Sequence, residues 1–172
     1  MSDVRVKIVL DADVIILFAK GELLATLPSI FPSYDFIVLS HVYEEVLPPV
    51  RLALDNIITL LQNIKLERFE PRGKMLREYA LLSRDRGKGE SACMSYCRFT
   101  QNALGSSNLR DIAEYCKTYG ITYLTTIDFL YYGIQKRIIT RTEAEEFIER
   151  VKTNGSKLPI VDFDHYIPVA VL

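Results

Sequence analysis

The chain is poor in the residues that define several protein classes. Its 172 residues include only three cysteines, Cys93, Cys97 and Cys116. Their number is odd and they lack Cys-x-x-Cys spacing, so they suit neither a disulfide scaffold nor a zinc or redox site and read as small buried side chains in a reducing compartment. Two histidines, His41 and His165, are too few for a histidine-based metal site. Eight glycines and seven prolines are scattered without a repeat or a linker, which excludes collagen-like and low-complexity architectures. No apolar run approaches the ~20 residues of a membrane-spanning helix. Asp3, Asp11 and Asp13 interrupt the short apolar runs near the start, so neither a signal peptide nor a membrane partner is expected and the chain reads as cytoplasmic. Charge of one sign is also missing. Against 21 basic residues stand 22 acidic ones, a net charge of −1, so no global field draws the chain to nucleic acid.

What is present is 49% apolar residues, enough for one domain over residues 1–172 with a sizeable core. The net charge hides a gradient, because residues 65–98 carry nine basic side chains against five acidic ones and the stretch before them is acidic. Val4–Leu10 is β-branched and apolar and reads as a buried strand ended by Asp11-Ala12-Asp13, with Val14–Ala19 continuing as a helix. Phe36–Leu39 is a second strand, and Ser40 caps a helix through Val46 that Pro48-Pro49 breaks. Leu52–Ile64 has helical apolar spacing, Ile64–Glu70 alternates as a strand, and Gly73–Leu82 is a helix. Arg84–Gly89 is a polar, glycine-spaced loop, and Glu90 opens a helix to about Thr100. Ala103-Leu104 is a very short strand, and the helix after Gly105–Asn108 places Leu109, Ile112, Ala113 and Cys116 on one face. Ile121–Leu124 is a strand and Ile127–Ile138 a helix. Thr140–Glu143 is a capping box for a last helix ending at Asn154-Gly155. Strands alternating with helices predict an α/β fold, a three-layer α/β/α sandwich on a mostly parallel central sheet. The core spans residues 4–155, with the apolar tail 156–172 packing on the domain or on a partner.

Ligands of open α/β sheets gather beyond the carboxyl ends of the strands, and acids recur there. Asp11 and Asp13 follow the first strand, Glu44 and Glu45 the second, Glu90 opens the helix after the glycine loop, and Asp128 follows the last strand. Taken singly, an Asp after a strand also suits a helix cap and Glu90 a helix N-terminus. Their recurrence at successive junctions is what points to a site. Carboxylates drawn together repel, and a hard divalent cation held by oxygen ligands relieves them. Val9–Ile15 also fits the hhDxDx(V/T)h pattern of haloacid-dehalogenase-type phosphatases, with Asp11 as nucleophile. That scheme needs an acidic pair at a later strand end, for which Asp162-Phe163-Asp164 is the nearest candidate.

In order, these segments resemble a PIN-like domain, the metal-dependent ribonuclease fold found in many toxin–antitoxin toxins. The resemblance rests on Leu10-Asp11-Ala12-Asp13, on Ser40–Val46 with Glu45 as the acid, and on Gly89-Glu90-Ser91-Ala92. It continues through Arg110-Asp111-Ile112-Ala113 and Tyr123–Leu130, covering roughly residues 5–139. One departure stands out, since the family's acidic pair falls on Gly105 and Ser106; Asp128 or Asp111 is left to substitute. The resemblance implies phosphodiester hydrolysis, on RNA rather than DNA, with Mg²⁺ or Mn²⁺ held by Asp11, Glu45 and Glu90 and with Asp128 as a further catalytic acid. Asp13 would be auxiliary, and Ser106, Asn108, Thr125 and Thr126 would bond water or phosphate. Arg84, Arg86, Lys88 and Arg110 would contact the nucleic acid. An antitoxin protein and a second copy of the chain are the implied partners. The missing acid implies a weakened nuclease or, as the alternative, a PIN-like binding module that does not cleave.

Overall fold

The computed structural model describes residues 4–172; Met1, Ser2 and Asp3, the last among the acids weighed against a signal peptide, lie outside the described residues. Buried β-branched and leucine residues build a sheet of five parallel strands: β1 (Lys7–Leu10), β2 (Asp35–Leu39), β3 (Ile64–Glu67), β4 (Ala103–Gly105) and β5 (Tyr123–Leu124). The strand order is β3-β2-β1-β4-β5, with helices on both faces, the three-layer α/β/α arrangement. β1 is central and fully buried from Ile8 to Leu10, and Val9 is paired with Ile37 on one side and Leu104 on the other. Such strands, covered on both faces, read as continuous apolar runs rather than alternating ones.

The helices are α1 (Ala12–Lys20), α2 (Leu27–Ile30), α3 (Ser40–Glu45), α4 (Val50–Asn56), α5 (Gly73–Leu82), α6 (Lys88–Thr100), α7 (Leu109–Tyr119), α8 (Thr126–Gln135) and α9 (Arg141–Thr153). α6 lies between α5 and α7 and packs on β1, β2 and β4. α1, α8 and α9 pack on one another through phenylalanines, with Phe18 edge-on to Phe129 at 6.0 Å and 4.9 Å from Phe147. Gly21 ends α1 where Phe147 leaves no room for a side chain. All three cysteines are free and buried. Among the described residues no helix is long and apolar enough to cross a membrane.

Several boundaries differ from the sequence reading for local reasons. β1 starts at Lys7 because its partner β2 starts at Asp35, which leaves Val4 and Val6 exposed. Asp11-Ala12-Asp13 is not a separate turn, since Asp11 caps α1 by accepting from the Ala12 N–H. Ser40 is the first helical residue rather than the cap, and its hydroxyl accepts from the Phe69 N–H at 3.0 Å. The predicted helix 52–64 ends early. After α4 the chain makes a wide π turn over Ile57–Leu61, Gln62 takes left-handed φ, and Ile64 joins β3. β3 is short because its register with β2 runs out at Leu39 and Glu67. Lys88 and Gly89 belong to α6, not to the loop before it. The 3-10 turn Leu24–Thr26 and α2 were unanticipated.

The topology locates a crevice. The chain adds β2 and β3 to one side of β1, then returns to add β4 and β5 on the other. The reversal falls between β1 and β4, so the loops after Leu10 and Gly105 diverge to opposite sides, and this is where doubly wound folds bind ligands.

Candidate active site

Asp11 leaves β1 at the reversal and is nearly buried, 6% exposed. Its Oδ1 accepts from the Ala12 N–H at 2.8 Å, and its Oδ2 from the Ser106 hydroxyl at 3.3 Å. Asp13, in the first turn of α1, accepts from its neighbour Val14 at 2.7 Å and, through Oδ2, from the Ser107 N–H at 2.7 Å. The two aspartates of one strand end therefore hold the loop after the adjacent strand. Ser106 stands where the resemblance places an acid, and it supplies a hydroxyl to Asp11 instead of a further charge.

The far wall comes from α6 and α7. The Asn108 amide nitrogen donates 2.7 Å bonds to both Glu90 Oε1 and Asp111 Oδ2. One side chain thus gathers two carboxylates from different helices. Asp111, rather than Asp128, is the acid that this bond brings beside Glu90. Glu45, at the end of α3, reaches across to the start of α6, where its Oε1 accepts from the Gly89 N–H at 2.8 Å. A negative side chain suits a helix N-terminus. A Cβ on Gly89 would lie 2.5 Å from Glu45 Oε2 and 3.2 Å from Val42 Cα, so the Gly-Glu pair is needed for this close approach. Glu44 and Glu45 are both exposed, and of the two it is Glu45 that reaches α6.

The remaining predicted residues divide. Thr126 is fully buried, and its hydroxyl and N–H both pair with Ser107 Oγ, at 2.9 and 2.8 Å, tying the starts of α7 and α8 together. Thr125 caps α8 through a capping box with Asp128. Asp128 is a correction to the sequence reading. Its Oδ2 accepts from the Thr125 N–H and hydroxyl, and its Oδ1 from the Tyr166 hydroxyl at 2.7 Å and the Val169 N–H at 3.1 Å. Every lone-pair direction serves the cap and the tail, which leaves this carboxylate no part in the acidic group. A Thr-x-x-Asp capping signature at 125–128 was the signal that could have shown it. Arg84, Lys88 and Arg110 are exposed, Lys88 in the first turn of α6 and Arg110 in that of α7. Arg86 is tucked in, with Nη1 2.8 Å from Asp85 and Nε buried without a hydrogen-bond partner among the described residues. The sequence reading had no signal for the tail's tie to Asp128, because the tail carries no periodic pattern.

Electrostatics shows how crowded the acids are. Burial pushes the Asp11 carboxyl up to about 7, with the like charges of Asp13 and Glu90 adding and the bonds from Ala12 and Ser106 opposing. Burial raises Asp13 against the N–H groups of Ser107 and Val14. Glu90 is raised by burial and by Asp111 and Asp13, and is held back by Asn108 and Arg86. No described Lys or Arg forms an ion pair with Asp11, Asp13, Glu45, Glu90 or Asp111. The donor set is all oxygen, which fits a hard divalent cation rather than a soft one. Among the described residues no three His, Cys, Asp or Glu side chains lie close enough together, as placed, to hold an ion directly.

No protein-family model matches this sequence, and no curated protein matches it.

Proposed function

We propose that this chain is a metal-dependent nuclease of the PIN-like kind, acting on RNA at the acidic crevice between β1 and β4. The observation that carries the reading is the group formed by Asp11, Asp13, Glu90 and Asp111. It lies at the reversal point of a parallel sheet, forms no ion pair with a Lys or Arg among the described residues, and includes an aspartate raised to about 7. Of Asp11, Glu90 and Asp111, at most two would hold Mg²⁺ or Mn²⁺ directly and the rest through water, with Glu45 at the edge. A cation bound there supplies the positive charge that lowers the pKa of water and offsets the charge growing on a scissile phosphate.

The chain's own groups do the positioning. Asn108 keeps Glu90 and Asp111 side by side, and Asp13 locks the loop that presents Ser106 to Asp11. Because Asp11 holds its proton until about pH 7, cation uptake releases that proton and strengthens as pH rises. The positive charge of Arg86 acts on Glu90 and offsets part of its charge. The exposed Arg84, Lys88 and Arg110 supply sequence-independent phosphate affinity. A cytoplasmic location, an antitoxin partner and self-association belong to the same reading.

One observation favours the alternative of a module that binds without cleaving: a serine, Ser106, occupies the place of the third acid. The phosphatase reading is weaker. The loops after β4 and β5 start with Ser106-Ser107 and Thr125-Thr126, and Asp162 and Asp164 sit in an exposed turn with Arg141 and His165. The deciding experiment incubates the protein with labelled single-stranded RNA and DNA in Mg²⁺ or Mn²⁺, beside Asp11→Asn. Scission that needs the metal and Asp11 is expected, with RNA cut in preference. Intact substrate under all conditions refutes the nuclease.

A further inference from the structure

A second compartment opens at the same end of the sheet, on the other side of Ser107 from the acids. It has a volume of about 600 Å³, within the range of small-molecule sites. Ile127 and Leu109 form one wall, and Leu158, Val161 and Val169 of the tail form the other. The tail is held in place as a wall. Tyr166 and Val169 bond Asp128, the Tyr132 hydroxyl donates to the Ala170 carbonyl at 2.5 Å, and Phe163 is buried. Polar groups lie at a few points only: Ser107, Thr125, Asp162, His165 and the Tyr166 ring. His165 Nδ1 is 2.7 Å from Asp162 Oδ2, which fixes the imidazole and leaves Nε2 as its remaining polar atom.

The lining selects the ligand class. No Lys or Arg lines the cavity and Asp162 does, so an anionic group is not drawn in. Apolar walls with two π surfaces and a few hydrogen-bonding atoms at the rim suit an uncharged planar heterocycle. Ser107 belongs to both compartments, since its N–H bonds Asp13 while the residue also lines the cavity. A group in the cavity and a phosphate among the acids are thus one residue apart, as a base and its own phosphate are one sugar apart.

We propose that this cavity is a nucleobase subsite, taking one unstacked base of single-stranded RNA while the adjoining phosphate lies among the acids. The proposal rests on the nuclease reading for its phosphate half and on the cavity alone for its base half. Sequence-specific reading of RNA takes such splayed-out bases, held by aromatic faces and bonded on their edges.

The test separates the two halves. The full chain, with EDTA and no metal, is titrated with adenosine, guanosine, cytidine and uridine, which carry no phosphate, while the methyl resonances of Leu109, Ile127, Leu158, Val161 and Val169 are followed. Saturable shifts confined to those methyls are expected for at least one nucleoside. Val161→Trp, which fills the cavity, should weaken that binding on the order of tenfold or more, with Val169→Trp as the second variant should the first fail to fold. Silence with all four nucleosides overturns the subsite, and so does saturation by dodecanoate alone, which would mark an acyl-chain pocket. Nucleoside binding without metal-dependent scission keeps the subsite and removes the nuclease. Scission at a rate that Val161→Trp leaves unchanged, with no nucleoside bound, removes the subsite and keeps the nuclease.

Discussion

Replacing Asp11 by Asn tests the electrostatic account of the crevice without any substrate. Asn keeps the shape and can still accept from the Ala12 N–H and pair with Ser106, the two bonds that Asp11 makes. What it removes is the buried charge. The carboxyl is raised from an ordinary 3.8 to about 7 in the folded chain, so the folded state binds the proton more tightly than the unfolded state does. Below about pH 4 both states are protonated and no penalty exists. As pH climbs toward 7 the unfolded chain ionises first and stability falls, and above 7 the loss is complete. At about 1.4 kcal/mol per pH unit, the gap between 3.8 and about 7 sets a ceiling of roughly 4 kcal/mol. In EDTA, Asp11→Asn is therefore expected to match the parent at pH 4 and to exceed it increasingly up to pH 8, with Mg²⁺ narrowing the difference by stabilising only the parent. Urea unfolding followed by far-UV circular dichroism reads this, since the chain has no tryptophan. A difference that does not change with pH, or an Asn variant less stable than the parent at pH 8, refutes the crowded-acid reading.

Three further outcomes follow from the contacts. Gly89→Ala puts a methyl 3.2 Å from Val42 Cα, where backbone must yield, and should cost about 1–3 kcal/mol; because the Glu45 carboxylate can swing aside, adding Glu45→Ala should restore little of the melting temperature. Tyr166→Phe removes the 2.7 Å bond to the Asp128 carboxylate, a loss of about 1.5–3 kcal/mol for a charged acceptor, and hydrogen exchange over 158–172 should speed up while that over β1 is unchanged. Asn108→Ala deprives Glu90 and Asp111 of their shared donor. Since Glu90 is already raised, the stability lost should be larger at pH 8 than at pH 4, and equal losses at both would show that Asn108 acts by packing alone.

Most of the architecture was legible because the central strands β1, β2 and β4 are short runs of buried residues bounded by polar ones, β3 alternates at the edge, and parallel pairing follows from the helices between them. Asp11, Asp13 and Glu90 could be singled out because each lies directly at a strand end or a helix start, and Glu45 because the short helix carrying it follows β2 directly, so that chain position nearly fixes location in space. Asp128 occupies the same kind of position and has another role, decided by a tail 38 residues further on. Asp111 is the reverse case. It looks like an ordinary first-turn acid of α7, and only Asn108 brings it to Glu90. The length of the helix after Val50 was misread because periodic leucines persist past Asn56, although Leu60 and Leu61 end up exposed.

β1 is made first, yet one of its edges waits for β4, whose Leu104 reaches Val9 across 95 positions of chain. During synthesis the middle of the sheet is therefore a bare edge while β2 and β3 are already available on its other side, a pairing that comes late and is slow to close. Ser106 and Asn108 follow β4 directly, so the acids of the early chain meet those of α6 and α7 only once this last edge is covered. A ribosome-bound chain lacking β4 would then hold Asp11 and Asp13 but no crevice, and any activity at that crevice begins only after the centre of the sheet is sealed.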